Sequence, residues 1–127
     1  MYLIDSSVLI DILRAGRDPV MEFRVLFEQG RLCTCGIVAC EVLRGVVKRP
    51  VFERMESFFS LIEQVPLDES LIRETCNLAW RLDRDGVVLP LADLFIASAA
   101  MRSDAIVVTT DPHFAAIPGL TVRASLS

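Results

Sequence analysis

The sequence is poor in the side chains that most often do imidazole or amine chemistry. Of its 13 basic residues 12 are arginine, which leaves Lys48 as the single lysine and His113 as the single histidine. General-base, Schiff-base or imidazole catalysis has little to draw on, whereas 17 carboxylates are present. Net positive charge is missing too. A formal charge of −4 argues against a protein that holds nucleic acid by bulk electrostatics, so any such contact must be local. The six glycines and six prolines form no low-complexity tract. No uncharged apolar run reaches the roughly 18 residues that could span a bilayer. With 53% hydrophobic and 24% charged residues in a length of 127, the chain reads as one globular domain over 1–127.

The start, Met1 to Asp5, carries no basic region and meets a charge at residue 5, so it does not read as a secretory signal and the protein is expected in the cytoplasm. In that reducing compartment Cys33, Cys35, Cys40 and Cys76, which form no Cys-x-x-Cys pair, are expected to be small core residues.

Short apolar runs alternate with helical periodicity along the chain. Tyr2 to Ile4 predicts a strand, and Val8, Leu9, Ile12 and Leu13 recur at helical spacing after it. Asp18-Pro19 has the form of an N-cap with proline at the first helical position, and Gly30 is a natural stop, which predicts a helix over 19–29. A strand over 32–35, a helix over 37–48 carrying Glu41, and a helix opened by Pro50 follow. Val65 marks a third strand. Leu71, Ile72, Thr75, Leu78, Ala79 and Leu82 mark a long helix stopped near Gly86. Residues 91–101 read as an Ala-rich helix, 105–110 as the clearest β-branched strand and 120–123 as an edge strand. The alternation implies a three-layer α/β/α sandwich around a mostly parallel sheet of roughly five strands.

In such sheets ligands bind beyond the carboxyl ends of the strands. Asp5 follows the first strand and Asp111 follows Ile-Val-Val-Thr-Thr. Glu41 stands inside Gly36-Ile-Val-Ala-Cys-Glu-Val-Leu, and Asp93 inside Leu89-Pro-Leu-Ala-Asp-Leu-Phe-Ile-Ala, where acids rarely go unpaired. Each has a plain alternative: Asp5 and Asp93 as helix N-caps, Asp111-Pro112 as a turn, Glu41 paired with Arg44.

These residues resemble the PIN-domain nucleases, and most closely their bacterial VapC-type toxins, over nearly the whole chain. The resemblance rests on Tyr-Leu-Ile-Asp5-Ser-Ser, Ala-Cys-Glu41-Val-Leu-Arg-Gly, Ala-Asp93-Leu-Phe-Ile-Ala-Ser-Ala and Val-Val-Thr-Thr-Asp111-Pro-His-Phe. It implies that Asp5, Glu41, Asp93 and Asp111 are an acidic quartet that holds divalent metal, with Thr110 or Ser6 orienting water beside it. Position 6 departs from the commonest Asp-Thr-Ser but keeps a hydroxyl. The resemblance further implies an endoribonuclease acting on single-stranded regions of structured RNA such as tRNA or rRNA. It also implies a homodimer, and a small antitoxin whose C-terminal segment lies in a groove of the toxin.

The chemistry has its own footing. Converging carboxylates raise one another's pKa unless cations neutralise them, and Mg²⁺ or Mn²⁺ suits oxygen ligands. Such a site can hydrolyse a phosphodiester without histidine or lysine. Arg44 and Arg14 are candidate phosphate contacts, with Arg17, Lys48, Arg49 and Arg102 around them. His113, after Asp-Pro and before Phe114, has a metal or base role as its alternative but reads first as a turn histidine packed over the last strand, since a Zn²⁺ site needs several His or Cys. The stripe Val51, Met55, Phe58, Phe59 and Ile62, preceded by Leu43, Val46 and Val47, belongs to the core or to a subunit interface.

Competing readings fare worse. A haloacid-dehalogenase-like site needs an acid at position 7, which is Ser. A receiver domain needs a lysine after a late strand. Gly45 and Lys48 do not form a Walker loop. The remaining alternative without catalysis is an inert PIN-like module that binds RNA or protein, whose mark would be loss of one of the acids.

Overall fold

Five short parallel strands form the sheet of the computed structural model, which describes residues 1–126. They are β1 (Tyr2–Ile4), β2 (Leu32–Thr34), β3 (Glu63–Gln64), β4 (Ile106–Val108) and β5 (Val122–Arg123), in spatial order β3-β2-β1-β4-β5. Leu3 and Ile4, all of β2, and Val107 and Val108 are buried. Successive strand side chains point to opposite faces, so burial at consecutive residues means that helices cover both faces. This is the three-layer α/β/α arrangement expected from the sequence.

Seven α-helices supply the cover: α1 (Ser6–Arg14), α2 (Pro19–Glu22), α3 (Arg24–Glu28), α4 (Gly36–Leu43), α5 (Arg49–Leu61), α6 (Glu69–Arg84) and α7 (Leu91–Arg102). A 3₁₀ turn spans Pro112–Ala116. In α6, Leu71, Thr75, Leu78 and Leu82 make one buried stripe. The Asp68 carboxylate caps the Leu71 N–H at 2.8 Å, and Gly86 ends the turn at φ +80°. Such a cap is worth about 1 kcal/mol, whereas each fully buried leucine contributes about 1.5–3 kcal/mol, so packing rather than capping holds the helix in place. In α7 the run Ile96 to Ala100 is buried all round, because small side chains let neighbouring backbone approach. No helix among the described residues is long and apolar enough to cross a membrane.

Several boundaries differ from the sequence expectation. The helix expected over 19–29 is two helices, broken at Phe23, whose φ of −105° and ψ of 16° leave the helical path; Phe23 is the one residue of 21–30 that is fully buried. The helix expected over 37–48 ends at Leu43. Gly45 weakens it, and Lys48 must be extended (ψ 126°) to start α5 with Pro50 in its first turn. The third strand ends one residue before Val65, although the Val65 N–H still donates to the Thr34 carbonyl at 2.8 Å. The expected strands over 32–35, 105–110 and 120–123 shorten to 32–34, 106–108 and 122–123. Cys33 and Cys35 are buried as expected, and burial pushes the Cys33 thiol up to about 11. Cys40 and Cys76 are exposed, because they fall on the outer faces of α4 and α6. The stripe on α5 turns inward, Met55, Phe58, Phe59 and Ile62 lying in the chain's own core, while Val47 and Leu61 on either side of it stay exposed.

The chain runs outward from β1 to β2 and β3, then returns to place β4 on the other side of β1. The topology therefore switches between β1 and β4, where the connections on either side diverge and open a crevice beyond the strand ends. Ile4 is level with Val108, so Asp5 and Thr109 leave the sheet side by side.

Candidate active site

Asp5 is 2% exposed and occupies the N-cap position of α1, yet its side chain caps nothing. Its Oδ2 accepts instead from Ser7 Oγ and from Thr109 Oγ1, both at 2.7 Å. Each hydroxyl also accepts a backbone N–H, Ser7 from Thr110 at 3.3 Å and Thr109 from Asp111 at 2.9 Å. Those N–H donors leave each hydroxyl proton free to point at Asp5, so the backbone after β4 locks the carboxylate through two relays. The other oxygen of Asp5 makes no hydrogen bond among the described residues.

Glu41, on α4, faces the same crevice. Ser6 Oγ donates to its Oε1 at 3.0 Å, and the plain alternative of pairing with Arg44 is not realised. Burial, and then the nearby charges of Asp5, Asp93 and Asp111, raise its pKa above the usual carboxylate value, against the lowering effect of Ser6. Asp93, in the first turn of α7, is 8% exposed. Its pKa is also raised, by burial first and then by Asp111 and Asp5, although a hydrogen bond with His113 opposes the shift. Asp111 caps the 3₁₀ turn, its Oδ1 accepting from the His113 N–H at 2.9 Å, so the turn reading of Asp111-Pro112 also holds. The four acids thus feel one another's charge at the β1/β4 crevice.

Two expectations need correction. Thr110 is exposed and offers only its backbone N–H; the hydroxyl on Asp5 comes from Thr109, with Ser7 as its counterpart. Neither was singled out from the sequence, and the signal that could have found Thr109 is the alignment of the two strand ends. His113 is not packed over the last strand. Its Nδ1 lies 2.9 Å from Asp93 Oδ2 and 3.1 Å from Asp111 Oδ1, and the hydrogen bond to Asp93 chiefly raises its pKa. Phe114, fully buried beside it, takes the core position and turns His113 to the acids.

Beside Glu41 a groove of about 540 Å³ runs between α1 and the α4–α5 connection, lined by Ile10, Leu13, Arg14, Val46 and Lys48 among others. Arg14 and Arg44 are both exposed and carry no ion pair among the described residues. By contrast, Arg17 pairs with Glu22, Arg49 with Glu53, and Arg102 with Asp68 and Glu74.

The chain resembles known proteins in sequence and in fold. Across 99 residues, 78% of this chain and 67% of the relative, the chain is 31% identical to Ribonuclease VapC1 of Methanocaldococcus jannaschii. Among solved structures it is similar to VapBC2 from Rickettsia felis bound to a promoter DNA fragment, with a TM-score of 0.78 and 22% identity over 96% of each chain. It is also similar to DNA-bound VapBC from Salmonella typhimurium, with a TM-score of 0.77 and 25% identity over 96% of each. Residues 2–120 match the model of the PIN domain, and with β1, the switch point and all four acids inside that span, the chain belongs to the PIN-domain family.

Proposed function

We propose that this chain is a metal-dependent endoribonuclease, the toxin of a toxin–antitoxin pair, hydrolysing phosphodiester bonds in single-stranded stretches of structured RNA such as tRNA or rRNA. The observation that carries the reading is the convergence of Asp5, Glu41, Asp93 and Asp111 on one crevice of a PIN-domain chain that resembles a ribonuclease. The donor set fits a divalent cation. Asp5 and Asp93 each keep one carboxylate oxygen without a hydrogen bond among the described residues, and carboxylates gathered in one crevice repel one another unless a cation offsets their charge. Mg²⁺ or Mn²⁺ suits those oxygens, and the four acids are the residues that hold it.

When bound, the ion offsets the charge of a scissile phosphate and lowers the pKa of water. The protein's part is orientation. Ser7 and Thr109 fix Asp5, and Ser6 fixes Glu41, so the crevice presents its oxygens without rearrangement. Arg14 and Arg44, unpaired and on the flank of Glu41, take the RNA backbone.

The groove beside Glu41 suits the antitoxin segment, with an apolar floor for its hydrophobic side chains and Arg14 and Lys48 for its acids. The homodimer uses α6 rather than α5. Ile72, Cys76 and Trp80 recur every fourth residue on its exposed face, while the α5 stripe is already buried. The protein acts in the cytoplasm, where its RNA is.

The test is cleavage of total cellular RNA by inhibitor-free protein with Mg²⁺, with Mn²⁺ and with EDTA, beside Asp5→Asn. Metal-dependent fragments of defined size, absent from the variant, are expected. Absence of cleavage under every condition would leave an inert binding module as the better reading.

A further inference from the structure

The sole histidine of the chain stands among the acids, at a place the carboxylate chemistry does not require. One ligand atom each from His113, Asp93 and Asp111 lies within 4.8 Å of the other two, a spacing that could hold one ion, and Nδ1 itself is 2.9 Å from Asp93 Oδ2 and 3.1 Å from Asp111 Oδ1. The platform is rigid. Pro112 restricts the turn, Phe114 anchors it in the core at 0% exposure, and the His113 N–H bonds Asp111 Oδ1 at 2.9 Å. Asp93 is held on α7 with its Oδ1 unpaired, and the Nε2 edge of the imidazole makes no hydrogen bond among the described residues. Without a cation the Nδ1–H donates to Asp93 Oδ2; a cation that displaces this proton, with the other kept at Nε2, meets the Nδ1 lone pair at the point the two carboxylates already face.

We infer that His113 is a nitrogen ligand of the metal centre, completing an Asp93–Asp111–His113 donor set that selects a first-row transition ion over Mg²⁺. This rests on the metal-dependent reading above and adds to it the identity of a fifth donor and the class of ion. Mg²⁺ is hard, keeps its waters and gains little from an imidazole, whereas transition ions gain more from nitrogen at the same geometry. A histidine that only positions Asp93 by hydrogen bonding has no such preference.

Because the chain has one histidine, a nitrogen signal has one source. The experiment is pulsed electron paramagnetic resonance of Mn²⁺ bound to the untagged protein, together with calorimetric titration of Mn²⁺ and Mg²⁺ into wild type and His113→Gln. The expected results are echo modulation from a directly bound imidazole nitrogen, lost in the variant, and Mn²⁺ affinity weakened at least about tenfold with less than about threefold change for Mg²⁺. Mn²⁺ that binds tightly without nitrogen modulation, or a variant weakened equally toward both ions, overturns the ligand role and leaves the metal-dependent reading standing. Failure of either ion to bind wild type overturns both. The side chain is 46% exposed, so the substitution leaves the core untouched.

Discussion

Two clusters of carboxylates, one at the β1/β4 crevice and one where α6 begins, use the same side chains to opposite effect. At α6, Asp68 accepts from the Leu71 N–H and from Arg102 at 3.0 and 3.2 Å, while the same guanidinium reaches Glu74 at 3.3 Å. The backbone donor first and then Arg102 hold the Asp68 carboxyl below its ordinary value. At the crevice the shifts run upward for Glu41 and Asp93, because burial and like charge outweigh the donors. One cluster is balanced from within the fold by an arginine 34 residues away. The other is left with acids in excess, the imbalance that the proposed divalent cation would offset.

Removing one charge from the unbalanced cluster has the largest expected effect. Glu41→Gln keeps an oxygen for Ser6 to bond but relieves repulsion. RNA cleavage is expected to fall at least about a hundredfold, the upper end of what loss of a residue supporting a metal centre costs. The melting temperature of the metal-free protein should stay equal or rise by up to about 4 °C. Unfolding of the variant would make Glu41 a structural residue and remove it from the site.

Proton linkage gives the next effect its sign. Glu41 and Asp93 have folded pKa values above their unfolded ones, so between the two values the folded chain binds more protons than the unfolded chain. Stability in EDTA therefore falls as pH rises from the ordinary carboxylate range through the raised values. His113, raised as well, adds stability below its unfolded pKa that is lost as pH climbs through its folded one. Asp68 runs the other way, its contribution present at neutral pH and lost as pH falls through its lowered value. Urea midpoints between about pH 4 and pH 7 should show a slope that Glu41→Gln flattens. A slope unchanged by that substitution would place the repulsion elsewhere.

Much of this contrast was legible in the sequence. The acids announced themselves by position, Asp5 directly after a strand and Glu41 and Asp93 inside apolar stretches where a lone carboxylate is costly. The sheet was legible because parallel strands buried on both faces read as short apolar runs. What was not legible depends on how segments meet. Thr109 and Ser7 bind Asp5 only because Ile4 pairs with Val108, a register no local pattern encodes. His113 reaches Asp93 only because the 3₁₀ turn gives the core to Phe114. Phe23 breaks α2 from α3 to bury its ring, a tertiary gain that overrides good local helix signals.

Thr34 supplies an imbalance without charge. Its Oγ1 is the one buried side-chain polar atom without a hydrogen-bond partner among the described residues, at the end of β2. Replacing it by the near-isosteric valine removes the unpaired hydroxyl, and a gain of about 1 kcal/mol in unfolding free energy is expected from urea titration. A loss instead would show that the hydroxyl is satisfied in solution, by an ordered water for example.

The balanced cluster should yield the smallest effect. Arg102→Gln leaves the Asp68 carboxylate capping Leu71, so α6 keeps its start, and it removes surface contacts alone: the pairs with Asp68 and Glu74 and the hydrogen bond to Ser70 Oγ. Exposed pairs of this kind are weak and screened. A slight fall in melting temperature is therefore expected at low ionic strength, vanishing by about 0.5 M NaCl, with RNA cleavage per active molecule unchanged. Were the fall large and indifferent to salt, Arg102 would be holding α7 against α6 through packing of its stem. Asp93, nine residues along the same helix, would then depend on it, and the two clusters would not be independent.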